Sequence, residues 1–282
     1  VASNSLYGGT YNMLSVMLPR FGIKTTFVDP SNPENFSKSV EENTKLFFTE
    51  SLGNPKLDVV DIQEISKYSK QYNIPLMVDN TVASPALLNP IKHGANIVIH
   101  SLTKYINGNG TSLGGVIIDA GTFDWSSGKF PEFTEPSPGY HGLVYNDALG
   151  SASYIAKVRI EGLRDLGGSL SPYNAFQILQ GLETLDLRMQ KHSENALQLA
   201  KWLESRDEVE WVNYPGLKSS KYFDLSKKYL PKGQSGLITF GVKGGYENAK
   251  IVSDKTSLFS LLANIGDTKS LIIHPALSLI HI

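Results

Sequence analysis

Three apolar runs in this sequence end in groups that could do chemistry. Leu46-Phe47-Phe48-Thr49 leads into Glu50, Leu76-Met77-Val78 into Asp79, and Ile97-Val98-Ile99 into Ser101 and Lys104. The last pair stands in HSLTKYINGNGTSLGG, residues 100–115. A lysine there could bind phosphate as a point charge, act as a general base, form an imine with an aldehyde, or sit solvated on the surface. Its surroundings argue against the surface reading. Three aliphatic residues deliver it, Ser101 and Thr103 add uncharged hydroxyls suited to a phosphate, and Gly108, Gly110, Gly114 and Gly115 allow close backbone approach. Asp79, followed by Asn80-Thr81, reads either as a turn-capping carboxylate or as the partner of a cationic ring nitrogen. Tyr7-Gly8-Gly9-Thr10 heads a predicted helix whose free N–H groups favour phosphate, and its tyrosine could stack on a flat ring or simply pack.

Each feature alone is weak. Together, a lysine for an imine, an aspartate for a pyridinium nitrogen, hydroxyls for a phosphate and an aromatic for a ring face are the parts of a pyridoxal-phosphate site. A phosphate-binding module without imine chemistry would use the same residues and is the competing reading.

The elements that must position these groups alternate. Strands are expected at Thr25–Val28, Leu46–Glu50, Leu76–Asp79, Ile97–Ile99 and Gly115–Ile118. Helices are expected from Leu6 to Arg20, Asn32 to Glu42 and Asp58 to Tyr72. Short apolar strands separated by helices predict a mostly parallel sheet, covered on both faces. In such a sheet, ligands bind beyond the carboxyl ends of the strands, where Glu50, Asp79, Ser101 and Lys104 fall. Residues 122–147 read as a loop rich in Pro, Gly and aromatics. A helix is expected over Asp147–Asp165, and Ser171-Pro172 is a strong helix start, serine as N-cap and proline at the first turn. That helix is expected to reach about Ser205, interrupted near Gly181. Strands at Val209–Val212, Leu237–Val242 and Ser270–His274, with helices at Tyr222–Tyr229 and Glu247–Ser253, suggest a smaller α+β domain. The organisation expected is a large domain over 1–150 and connecting helices with the small domain over 151–276.

Composition excludes several classes. The 282 residues carry 26 Lys and Arg against 27 Asp and Glu, a net charge of -1, so there is no basic footprint for nucleic acid or a membrane surface. No apolar run reaches spanning length. With no cysteine, disulfides, thiolate metal sites and cysteine nucleophiles are ruled out, and a cytoplasmic protein is the default. His93, His192 and His274 lack ligand-like spacing, so no metal site is expected.

The chain resembles the Cys/Met-metabolism family of pyridoxal-phosphate enzymes. The resemblance covers nearly all of residues 1–276 and rests on Leu6–Thr10, Glu50–Pro55, Val78–Thr81 and Ser101–Tyr105. Gly139–Gly142, Arg164–Gly167, Leu170–Phe176, Gly181–Leu185, Trp211–Gly216, Gly266-Asp267 and Ser270–Ala276 favour the branch that uses O-acetylhomoserine. The resemblance implies an α/β, aspartate-aminotransferase-like (fold type I) chain, in which a mostly parallel sheet domain is joined to a smaller α+β C-terminal domain. It also implies pyridoxal 5'-phosphate as cofactor, with Lys104 as the imine-forming catalytic lysine. Asp79 would pair with the pyridinium nitrogen, and Tyr7 would stack on the ring and face the substrate. Ser101, Thr103 and Gly8 would bind the phosphate, Asn54 would contact the 3′-oxygen, and Ser270 would lie near the substrate carboxylate. Glu50 resembles a support for the loop more than a catalytic group. The implied reaction is γ-replacement in methionine and cysteine biosynthesis, O-acetylhomoserine plus sulfide (or methanethiol) giving homocysteine (or methionine) plus acetate. Cystathionine γ-synthase or γ-lyase chemistry is the alternative, and a cytoplasmic homotetramer, built from dimers that share active sites, is the implied assembly.

The sequence departs from the family at Leu102, Asn109 and Asn96, where a small residue, a histidine or glutamine, and an aspartate are usual; none is a cofactor-binding group. The chain starts at Val1, and the resemblance places the family's N-terminal segment before it. Leu277–Ile282 matches the translation of a common transposon-adapter sequence, so native sequence is expected to stop near Ala276, before the family's carboxylate-binding arginine. A chain truncated at both ends, with little or no turnover, is the expectation.

Overall fold

The computed structural model describes residues 1–274; Pro275, Ala276 and the tail 277–282 lie outside the described residues. The strands are β1 (Ala2–Ser3), β2 (Phe27–Val28), β3 (Phe47–Glu50), β4 (Leu76–Asp79), β5 (Ile97–Ser101) and β6 (Gly115–Asp119). They form one sheet in the order β2-β1-β3-β4-β5-β6. β1 to β5 run parallel, and β6 closes the edge antiparallel to β5. Every residue of β3 is buried, as expected of a central strand covered on both faces. β1 is two residues long, too short for any periodicity, and no strand was expected there.

The helix Ile62–Tyr72 covers the sheet and buries Ile62, Ile65, Ser66 and Ser69. Asp61 caps it, accepting from the Glu64 N–H at 3.2 Å, and Asn73 ends it in the left-handed conformation, φ 49°. The Asn96 amide oxygen accepts from the Leu76 N–H at 2.9 Å at the start of β4. That bond asks only for an acceptor, which asparagine supplies as well as aspartate.

The stretch 122–147 is more ordered than its composition suggests. Short helices at Pro131–Thr134 and Tyr145–Leu149 are organised by an aromatic cluster, in which Trp125 stacks on Tyr154 with centroids 5.0 Å apart. The helix expected over Asp147–Asp165 is broken at Gly150 (φ 54°, ψ -123°) and resumes at Ser153–Lys157. Its next turn, Val158–Leu163, is π-helical.

Ser171-Pro172 opens a helix as expected: Ser171 Oγ accepts from the Asn174 N–H at 3.1 Å and the helix runs Pro172–Leu182. Replacing Ser171 by alanine is expected to destabilise the fold by about 1 kcal/mol, the usual worth of an N-cap; urea unfolding of the variant measures it. A second helix, Leu185–Glu204, packs on β7 (Val209–Asn213), which pairs antiparallel with β8 (Thr239–Val242). β9 (Ser260–Leu261) and β10 (Leu271–Ile272) form a parallel pair. The main core joins sheet and helix residues such as Phe47, Leu76 and Val78 to Ile178, Leu185, Met189, Tyr222 and Tyr229. One apolar core thus draws residues from both sides of position 150.

Candidate active site

The carboxyl ends of β1, β3, β4 and β5 open on a cavity of about 250 Å³. Tyr7, Glu50, Asn54, Asp79, Ser101 and Lys104 line it from the sheet side, and Ala263, Asn264, Ile265 and Ile273 from the C-terminal segment. The parallel register places Glu50 beside Asp79, and Asp79 beside Ile99, so the three strand ends arrive together. A larger cavity, about 400 Å³, lies at the amino ends of the strands over Trp125, Phe130, Phe133 and Tyr154. Its lysines are engaged, Lys157 with Glu161 at 2.6 Å and Lys45 with the Lys129 carbonyl, and it joins no amine to the strand-end carboxylates.

Among the described residues, Lys104 is the only amine on the smaller cavity, and its Nζ donates to Asn264 Oδ1 at 2.6 Å. Burial holds its pKa below the usual lysine value, which favours the free amine. The chain after it is held from outside. Arg188 donates to the carbonyls of Tyr105 (2.7 Å) and Ile106 (3.3 Å), and the Thr268 N–H donates to the Gly108 carbonyl (2.9 Å). Gly181 sits so close that a Cβ there would stand 2.0 Å from the Asn107 oxygen.

Asp79 Oδ1 accepts from the Thr81 N–H (2.9 Å) and hydroxyl (2.6 Å), while Oδ2 has no hydrogen-bond partner among the described residues. Burial raises its pKa against those two bonds. A carboxylate this buried is costly unless it meets a cation or donor. A protonated ring nitrogen would supply both, so the residues present fit pyridoxal phosphate. The Thr81 hydroxyl also accepts from the Ser101 N–H at 2.8 Å, tying the ends of β4 and β5.

Glu50 accepts from the Tyr7 N–H at 2.6 Å and from the Asn54 N–H at 3.1 Å. Burial and the Asp79 charge push its carboxyl up to about 8, against the pull of those N–H groups. The fold therefore holds this proton more tightly than the unfolded chain does. The resulting stability is present at low pH and lost as pH rises from about 4.5 to about 8. Relative to a Glu50→Gln variant, the protein should thus lose stability over that interval; urea unfolding of both at pH 5 and pH 8 checks the sign.

The remaining site expectations separate. Tyr7, Gly8, Asn54 and Ser101 line the cavity. Thr103 and Ser270 are not among its lining residues. The Thr103 hydroxyl is engaged with Gly114, accepting from its N–H at 3.1 Å. Ser270 is exposed at the start of β10, its carbonyl accepting from the Ser260 N–H at 2.9 Å. Asn264 and Thr81 carry site bonds that the sequence reading did not assign. Asn264 stands two residues before Gly266-Asp267, yet 160 residues from Lys104, and no local pattern announces that pairing. Among the described residues, no group of three or more His, Cys, Asp or Glu could hold a metal ion, and no helix is long and apolar enough to cross a membrane.

The fold is that of fold type I pyridoxal-phosphate enzymes, and the cavity lies beyond the carboxyl ends of its strands. The chain belongs to the Cys/Met metabolism PLP-dependent enzyme family, whose model matches residues 1–281. It is 55% identical to the O-acetyl-L-homoserine sulfhydrylase of Leptospira meyeri, over 98% of this chain and 64% of that protein. It is 48% identical to the homocysteine synthase of Schizosaccharomyces pombe, over 98% of this chain and 65% of the relative. It therefore spans a little under two thirds of these relatives' length. A Campylobacter jejuni structure described as an O-acetylhomoserine (thiol)-lyase, carrying a pyridoxyl-lysine monophosphate, superposes with a TM-score of 0.93 at 45% identity, covering 98% of this chain and 68% of its own.

Proposed function

We propose that this chain forms the core of an enzyme that replaces the acetate of O-acetylhomoserine with sulfide (or methanethiol), giving homocysteine (or methionine) and acetate. The observation that carries the reading is that Lys104, the one amine lining the cavity among the described residues, shares it with a buried carboxylate that has an open acceptor, Asp79. The names of the most similar relatives supply the substrate.

Bound pyridoxal phosphate supplies an electron sink that stabilises negative charge at the substrate's α-carbon. Lys104 would carry its covalent attachment and, once displaced by the substrate amine, move protons at Cα and Cβ, while acetate leaves from Cγ and sulfide takes its place. Asp79 would keep a proton on the ring nitrogen, and Tyr7 would orient the ring. Ser101 is the hydroxyl that the geometry favours for the phosphate, with Gly8 and Thr103 joining through the resemblance; so do Asn54 at the 3′-oxygen and Ser270 near the substrate carboxylate. Asn264 Oδ1 accepts from the free Lys104 Nζ and keeps it in the cavity before the cofactor arrives.

A cytoplasmic homotetramer of dimers that share active sites belongs to the same proposal. Tyr173, Phe176 and Leu179, at helical spacing on Pro172–Leu182 and all more than half exposed, are an apolar stripe that subunit contact would cover. With full-length protein, O-acetylhomoserine and sulfide should give homocysteine and acetate. Cystathionine formation from cysteine at a comparable rate, or 2-oxoacid release from methionine without an acceptor, would assign it instead to the γ-synthase or γ-lyase branch.

A further inference from the structure

We propose that Glu50 is a positioning residue that ties the two lips of the cavity together, the Tyr7 turn and the Asn54 turn, and thereby seats the Tyr7 ring for the cofactor. The inference rests on the pyridoxal-phosphate reading of the cavity and extends it to a lining residue whose two carboxyl oxygens are taken by backbone N–H groups.

The geometry is a two-pronged clamp. One carboxyl oxygen takes the Tyr7 N–H at 2.6 Å and the other takes the Asn54 N–H at 3.1 Å. These N–H groups belong to segments that follow different strands, β1 and β3, and reach the cavity from two directions. Tyr7 is 54% exposed, so burial does little to fix its side chain. It lies against Gly9, where a Cβ would stand 2.6 Å from Tyr7 Cε1. Its position therefore follows its own backbone, which Glu50 anchors. The lips also touch directly, since a Cβ on Gly53 would stand 2.5 Å from Ser5 Oγ. Glu50 sits on the same rung of the sheet as Asp79, so the clamp and the ring-nitrogen partner share one rigid base.

Ionised, as it is above about pH 8 where the titration is run, the Glu50 carboxylate offers an acceptor oxygen to each lip, whereas the amide of glutamine offers one oxygen in total. Glu50→Gln should release one lip without changing the volume of the side chain. The test is a double-mutant cycle in full-length protein, titrating apoprotein with pyridoxal 5'-phosphate and following the circular dichroism of its absorption band. Glu50→Gln is expected to weaken cofactor binding about tenfold, a change of about 1.4 kcal/mol, and to alter the dichroism as Tyr7→Ala does. The double variant should lose less than the product of the two single losses, because Glu50 acts in part through Tyr7. Binding by Glu50→Gln within about twofold of the parent, or losses that multiply in the double variant, would overturn the proposal. A parent that binds no cofactor would overturn the reading of the cavity itself, a separate outcome in which all four proteins behave alike. If the glutamine variant does not fold, Glu50→Asp carries the test, keeping both acceptor oxygens on a shorter stem that cannot reach both lips.

Discussion

Replacing Lys104 by alanine is expected to lower turnover by at least about 10³-fold and to abolish the absorbance of lysine-bound cofactor. Positioned proton transfer alone contributes about 10²–10⁴-fold, and no other amine among the described residues lines the cavity to take over. Asn264 Oδ1 at 2.6 Å holds the Nζ in place, and burial favours its nucleophilic, neutral form. Lys104→Arg separates charge from nucleophilicity: it keeps the cation but cannot form the covalent linkage, and should be equally inactive. Steady-state rates and absorption spectra of both variants in full-length protein give the answer. Turnover in Lys104→Ala within tenfold of the parent would contradict the assignment.

The second large effect falls on Gly266. This residue adopts φ 76°, and a Cβ would stand 2.4 Å from the Tyr105 nitrogen and 2.8 Å from the Lys104 carbonyl carbon. Both contacts are backbone, so no side chain can swing aside. The left-handed conformation costs a non-glycine residue about 1–3 kcal/mol, and forcing extra atoms into a packed contact costs a similar amount. Gly266→Ala should therefore destabilise the protein by about 2–5 kcal/mol. It should also weaken cofactor binding, because the displaced segment carries Ala263, Asn264 and Ile265 away from Lys104. Urea unfolding and cofactor titration of the variant measure both effects; stability within about 0.5 kcal/mol of the parent, the size of a neutral surface change, would show that the contact is relieved elsewhere.

The parts of the fold that were legible in the sequence carry strong local signals. Leu76–Asp79 is an apolar run between Pro75 and a polar turn, and its strand has those bounds. Ser171-Pro172 is a cap whose hydrogen bond the structure contains. The helix after Asp147 was less legible, because Gly150 breaks it through backbone geometry that helical spacing does not encode. In 122–147, Pro and Gly cut the chain into elements too short for periodicity, while ring contacts between distant aromatics do the organising.

The site divides the same way. Asp79, Ser101 and Lys104 could be expected at one edge because strand ends in a parallel sheet converge. The support around them could not. Asn264 reaches Lys104 only through tertiary packing, and Thr81 links β4 to β5 by a side chain whose partners depend on register. Thr103, two residues beyond Ser101, is turned to Gly114, which spacing within a tight loop does not reveal.

The central claim is that Lys104 covalently holds pyridoxal phosphate in this cavity. Borohydride reduction of the full-length protein, followed by peptide mapping, tests it most directly. A stable pyridoxyl adduct on Lys104, with loss of the absorbance of the bound cofactor, is the expected result. An adduct on a different lysine, or a protein that binds phosphate with no adduct and no effect of Lys104→Ala, would contradict it.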